Sequence, residues 1–167
     1  ITTGTGFATH DAHWITKNLC GDVQLVDVTS AFAVLSLMGP QARAVLERVC
    51  ADDLTNASFP FGRAQRISVA RCQVLALRVT YVGELGWELH LPTEMAVTVY
   101  EALMEAGRDL GLVNAGYRAI ETLRLEKGYR AWKGDLSTDY SLLEGGLERF
   151  IKFDKPQDFP GKAALLS

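Results

Sequence analysis

Cysteine is scarce in this chain: Cys20, Cys50 and Cys72 are an odd number, widely spaced, with no C-x-x-C pair. That pattern builds neither a disulfide framework nor a zinc knuckle, and it reads as reduced thiols acting as small hydrophobes. No apolar run approaches the roughly 18 residues that span a bilayer, and the N-terminus lacks the charged-then-apolar layout of a secretion signal. An intracellular protein with no membrane partner is therefore expected, cytoplasmic or, in a eukaryote, in the mitochondrial matrix. Lys and Arg form no stripe, the net charge is -3 and the pI is near 5.6, so nucleic acid is not expected as a partner. There is no glycine fingerprint for a dinucleotide or phosphate loop, because Gly83-x-x-Gly86 is too short and lies between strands rather than before a helix. Ser30, Ser58 and Cys72 have no tight turn beside a base, which leaves hydrolase chemistry without support.

What is present suits one globular domain. A chain of 167 residues, 48% hydrophobic and 22% charged, has the ordinary composition of a folded protein, and a chain of this size buries roughly 68–70% of its unfolded surface. The first residues, Ile1-Thr2-Thr3, contain no initiator Met, which fits a piece of something longer.

Periodicity sets out the elements. Thr9 is placed to cap a helix carrying Asp11, with Trp14, Ile15 and Leu19 at helical spacing, ended by Cys20-Gly21-Asp22. Val23 to Val28 alternates and Phe32 to Met38 is nearly continuous, as in an exposed-face strand followed by a buried one. Gly39 stops that strand and Pro40 suits the first position of a helix with Ala42, Val45, Leu46 and Val49 inward. Ala51 to Gly62 is a loop with aromatic anchors. Strands are expected at Arg66 to Ala70, Val74 to Val82 and Trp87 to Leu91, as a meander turning at Arg71-Cys72-Gln73 and at Gly83 to Gly86. Thr93 suits the cap of a helix with Ala96, Val99, Tyr100 and Leu103 on one face, ended at Gly107 or Gly111. A further helix runs from about Gly116 to Lys127 with Tyr117, Ile120 and Leu123 inward and Gly128 as its stop. A short strand is expected at Phe150 to Phe153, then a loop from Pro156 to Gly161 and a terminal helical turn. Strand groups followed by helices, with antiparallel neighbours, make the fold class α+β.

Chemistry concentrates in Thr80-Tyr81-Val82-Gly83-Glu84-Leu85-Gly86-Trp87-Glu88-Leu89-His90. A glycine-bracketed turn between two strands puts Tyr81 and Glu88 close to one hairpin. Glu84 and Glu88 form a carboxylate pair of which only one needs a function, since a solvated hairpin tip is the usual fate of such a residue. His10 and His13, three apart, resemble half a metal site without a third ligand, so no metal is expected. Arg118, Glu121, Arg124 and Glu126 suit a salt-bridged helix face as well as a ligand contact, and Arg130 and Lys133 beside Trp132 suit an anion or solvent.

The stretch Thr80-Tyr81-x-Gly83-Glu84-x-Gly86-Trp87-Glu88 resembles the signature of the aminomethyltransferase family, the T-protein of the glycine cleavage system and its relatives. Leu35-x-Leu37-Met38-Gly39-Pro40-x-Ala42-Arg43 is similar to the family's strand-to-helix step, and Leu123-Arg124-Leu125-Glu126-Lys127-Gly128 to its late helix end. Thr9-His10-Asp11, Phe59-Pro60-Phe61 and the run from Ala115 to Ile120 leading into Glu126 to Trp132 resemble the folate-binding C-terminal portion of sarcosine and dimethylglycine dehydrogenases. The resemblance implies antiparallel sheets with packed helices, part of a T-protein-like folate-binding fold, with residues 1–167 as a single domain. It also implies a fragment, without the N-terminal half of that fold and the C-terminal barrel.

By that resemblance the cofactor is tetrahydrofolate and the partner an N-methyl or aminomethyl one-carbon donor. FAD belongs to a flavin domain or subunit outside this chain. The pterin-binding carboxylate falls on Glu88 and folate-contacting aromatics fall on Tyr81 and Tyr129. A pterin ring offers two parallel N–H donors that one carboxylate accepts together, while Tyr offers a flat apolar face with a polar tip. The family Arg near the folate's glutamate side falls on Ile120, which makes Arg118 the substitute, and the acidic residue that assists transfer falls before Ile1. The implied function is tetrahydrofolate binding for one-carbon transfer, with the isolated chain not fully competent. A non-catalytic binding or assembly module, and a piece of a flavin-dependent N-methyl amine oxidoreductase, are the alternatives.

Overall fold

The computed structural model describes residues 1–166. In chain order the elements are α1 (Ala8–Asn18), β1 (Phe32–Met38), α2 (Ala42–Glu47), β2 (Ala64–Val69), β3 (Cys72–Leu77), β4 (Gly86–Pro92), α3 (Ala96–Ala106), α4 (Tyr117–Glu126) and α5 (Lys162–Leu166). The four strands form one sheet in the order β1-β4-β3-β2, with every neighbouring pair antiparallel. This is the expected α+β class, with β2, β3 and β4 as the meander and β1 added against β4.

Alternation divides the sheet into two faces. Trp87, Leu89 and Leu91 of β4, Val74 and Ala76 of β3 and Ile67 and Val69 of β2 are buried together, and α2 and α3 close over them with Val45, Leu46 and Val99. Each fully buried Val or Leu contributes roughly 1.5–3 kcal/mol, so this face supplies most of the stability. The opposite face carries Glu88 and His90, whose partners across the ladders are Ser36 and Leu77 for the first and Val34 and Leu75 for the second. Val34 and Leu75 are exposed, so this side of the sheet stays accessible.

Several sequence expectations are corrected. Val23 to Val28 forms no strand, and Val23, Val26 and Val28 are exposed. Alternation provides two faces, but no described strand lies beside this segment to complete a ladder. β1 is an edge strand in which Leu37 alone is buried, not the buried strand its apolar run suggests. The β2–β3 turn falls at Ala70-Arg71, with φ of 49° and 67°, and Cys72 already pairs with Val69. Two consecutive positive φ values give the tight primed turn that matches strand twist. β3 ends at Leu77, so Arg78 to Leu85 is a loop rather than strand. Phe150 to Phe153 is no strand either; a 3-10 turn spans Glu148–Phe150.

The helix starts differ as well. α1 begins at Ala8 and α3 at Ala96, neither with a side-chain cap, and the Thr93 hydroxyl instead donates to the Ser30 carbonyl at 3.0 Å. α2 starts two residues after Pro40. α1 buries none of its residues, and Trp14 is 61% exposed. The inward face of α4 is also reversed: Tyr117 is 84% exposed and Arg124 is the buried residue at 2%. A charge is tolerated there because acidic groups surround it on both sides.

Candidate functional site

The loop from Arg78 to Leu85 turns on Gly83, whose φ of +73° suits glycine. A Cβ there would lie 2.2 Å from Lys127 Cγ. The missing side chain lets the Lys127 stem cross the loop and bring Nζ within 3.0 Å of Glu84 Oε1. Lys127 immediately follows α4, so this crossing pins the helix end to the β3–β4 loop. Glu84 thereby becomes a loop support.

The same clamp brings two sequence-predicted residues together. Tyr81, on the loop, and Tyr129, two residues after Lys127, stack with centroids 6.3 Å apart and planes 18° apart. The Tyr81 hydroxyl donates to the Arg130 carbonyl at 3.2 Å, and burial pushes its phenol upward from the ordinary range. Behind the pair, Arg124 donates to the Tyr129 carbonyl and to Asp135 Oδ2, each at 2.6 Å, and forms a two-pronged bond with Glu121. Asp135 also accepts the Ala131 N–H at 2.8 Å. That backbone donor, and then Arg124, hold the Asp135 carboxyl below the usual range, while Glu121 and Asp135 together raise Arg124. The Glu121–Arg124 pair expected as a salt-bridged face is thus the brace of the Tyr129 loop; Arg118 and Glu126 form no ion pair among the described residues.

Glu88 shares no hydrogen bond or ion pair with this aromatic pair among the described residues. Its side chain, 31% exposed, faces the accessible side of the sheet, and His90 Nε2 lies 3.5 Å from its Oε2. Beneath it Trp87 is fully buried, with Phe59 edge-on at 6.2 Å and the guanidinium carbons of Arg43 and Arg78 at 5.9 and 5.6 Å from its ring. Both guanidinium groups donate to Asn56 Oδ1, at 2.6 and 2.8 Å, and burial lowers Arg78. This polar layer fixes the strand from which Glu88 projects. Gly86 has a similar role, since a Cβ there would meet the Leu37 carbonyl oxygen at 2.8 Å in β1.

Other expected positions are less connected. Arg118 is exposed on α4, and no hydrogen bond or ion pair among the described residues joins it to Tyr81, Tyr129 or Glu88. Ile120 is half-buried. His10 meets Asp11 at 3.0 Å, with Thr3 on the other carboxylate oxygen, and His13 takes no part. Among the described residues no three His, Cys, Asp or Glu side chains converge on a metal position, and no helix is long and apolar enough to cross a membrane. Lys133 lies over Phe7 at 5.3 Å.

Two neighbours of the site, His90 and Arg149, have no role assigned from the sequence. His90 was reachable from period-two alternation, which puts residues 88 and 90 on one face. Arg149, whose guanidinium lies 5.7 Å from the Tyr129 ring centroid, gives no local signal because twenty residues separate the two.

A family model described as the GCVT N-terminal domain matches residues 1–155. The mitochondrial dimethylglycine dehydrogenase of Homo sapiens is 42% identical over 168 residues, covering 99% of this chain and 19% of that protein. The mitochondrial sarcosine dehydrogenase of Homo sapiens is 47% identical over 142 residues, covering 85% of this chain and 16% of that protein. An aminomethyltransferase of Halothermothrix orenii is 42% identical over 156 residues, covering 93% of this chain and 43% of that protein. The chain thus spans about a fifth of the dehydrogenases and less than half of the aminomethyltransferase. A family model across most of the chain, together with a sheet of the expected class, places this protein in the aminomethyltransferase family as a member of the GCVT N-terminal domain group.

Proposed function

We propose that residues 1–167 form a single tetrahydrofolate-binding domain serving one-carbon transfer, of the aminomethyl or methylene kind. The observation that carries this reading is the Glu88 carboxylate on the accessible sheet face, with both oxygens short of any hydrogen bond among the described residues. A carboxylate in that state suits a ligand that presents two parallel N–H donors, as a pterin does. The stacked Tyr81 and Tyr129 offer a flat aromatic wall for the conjugated part of the same ligand, and Arg118 is the cation proposed for its glutamate end. When bound, tetrahydrofolate supplies the nitrogen that takes up the one-carbon unit. The residues named here bind and orient it.

The donor in this reading is an N-methyl or aminomethyl compound, as the names of the dehydrogenase and aminomethyltransferase relatives suggest. A flavin would sit in another domain or subunit, since no phosphate-cradling glycine loop occurs in these residues. The mitochondrial names of two relatives favour the matrix as the compartment, with the cytoplasm as the other option. A second reading, a folate-binding or assembly module without transfer activity, is favoured by Ile120 at the position where the family resemblance calls for Arg.

Calorimetric titration of folinic acid into the chain and into Glu88→Gln tests the first reading. Saturable binding by the parent chain and a loss of about tenfold or more in the variant are expected, from the 1.5–3 kcal/mol of hydrogen bonds to a charged group. Equal affinity in both, or no binding to either, refutes it. Formation of methylene-tetrahydrofolate by the chain with an iminium donor would exclude the second reading.

A further inference from the structure

His90 is two residues from Glu88 on β4, so both side chains emerge on the same face of the sheet. The cross-strand partners of His90 are Val34 on β1 and Leu75 on β3, and its side chain is only 13% exposed between those apolar neighbours. Its Nε2 is buried and has no hydrogen-bond partner. Leaving a buried polar atom unpaired is unfavourable, so an unpaired ring nitrogen this close to an acceptor is an interaction held short of completion. The acceptor is Glu88 Oε2, at 3.5 Å. A shift of about half an ångström brings the pair to the ordinary N–H···O distance of roughly 2.9–3.0 Å.

We propose that His90 is a positioning residue for the Glu88 carboxylate, donating from Nε2–H to Oε2 and fixing the plane in which Glu88 meets its ligand. The inference rests on the reading of Glu88 as the ligand carboxylate. A glutamate on a sheet face turns about three side-chain torsions, and its terminal torsion is broad. One fixed hydrogen bond removes that freedom before the ligand arrives. A carboxylate has about four lone-pair positions, so Oε2 can accept the His90 Nε2–H hydrogen bond and still accept one ligand N–H while Oε1 accepts the other. Neutral His90 in its Nε2–H form and protonated His90 both supply this donor, whereas an Nδ1–H tautomer does not.

The test is calorimetric titration of folinic acid into the 167-residue chain, His90→Leu, His90→Gln, Glu88→Gln and the double variant, with thermal melting to verify folding. His90→Leu should weaken binding about 5- to 20-fold. His90→Gln, whose amide N–H reaches close to the Nε2 position, should recover most of that loss, which a packing role would not predict. In the Glu88→Gln background, His90→Leu should change affinity by less than about twofold, because the two residues act through one contact. Parent-like affinity in His90→Leu, with Glu88→Gln still impaired, overturns the positioning role and leaves the Glu88 reading standing. Additive losses in the double variant overturn it in the same way. Absence of saturable binding by the parent chain overturns the Glu88 reading and this inference with it.

Discussion

Gly83→Ala tests the clamp that assembles the aromatic pair, and its cost can be built from parts. An L-residue at φ +73° costs roughly 1–2 kcal/mol for the left-handed conformation alone. The added methyl lies 2.2, 2.7 and 2.8 Å from Lys127 Cγ, Cδ and Cβ, so the whole lysine stem must move, and overpacking of this kind costs roughly 1–3 kcal/mol. Displacing Lys127 also breaks its 3.0 Å contact with Glu84, a half-exposed pair worth about 0–1 kcal/mol. The expected total is about 2–6 kcal/mol. Gly62→Ala is the matched control: its φ of +78° carries the same conformational cost, and its Cβ meets nothing within 4 Å. At roughly 2–4 °C per kcal/mol for a domain of this size, thermal melting should place Gly83→Ala several degrees below Gly62→Ala. Lys127→Ala should narrow the gap without closing it, since the lysine Cβ remains at 2.8 Å. Equal melting temperatures for the two glycine variants would show that the Lys127 stem does not bind α4 to this loop.

Tyr81→Leu should lower stability by about 0.5–1.5 kcal/mol, the worth of a stacked aromatic pair, and weaken folinic acid binding; denaturant unfolding and calorimetry read the two effects. Asp135 and Glu121 are held below the ordinary carboxylate range by the Ala131 N–H and by Arg124 respectively. Their stabilisation is therefore complete above the unfolded carboxylate pKa and is lost as pH falls through the depressed folded values. Asp135→Asn should melt lower than the parent at pH 7 and show a smaller further drop at about pH 2.5, below the unfolded carboxylate pKa, measured by thermal melting at both. Cys20 is exposed while Cys50 and Cys72 are buried, with thiols pushed up by that burial. A thiol reagent should label one cysteine in the native chain and three after denaturation, as counted by mass spectrometry.

The amino-acid pattern determined much of this protein. Period-two alternation located β2, β3 and β4, and helical spacing located α2, α3 and α4, because each burial pattern is a local property of consecutive residues. The motif from Tyr81 to Glu88 and the strand-to-helix step at Leu35 to Arg43 carried the family. Contacts between distant segments were beyond it. Val23 to Val28 alternates like a strand, yet a ladder needs a neighbour that alternation does not supply. The apolar residues of α4 suggested Tyr117 and Leu123 as its inward face, but ion pairing with Glu121 and Asp135 allowed Arg124 to be the buried residue. The hairpin reading put Tyr81 and Glu88 in one place; the tertiary structure separated their partners. Tyr81 went to Tyr129 through the Gly83–Lys127 crossing, forty-four residues apart in sequence, and Glu88 went to His90 on its own strand. Side-chain identity thus chose the chemistry, and packing between remote segments chose which groups share it.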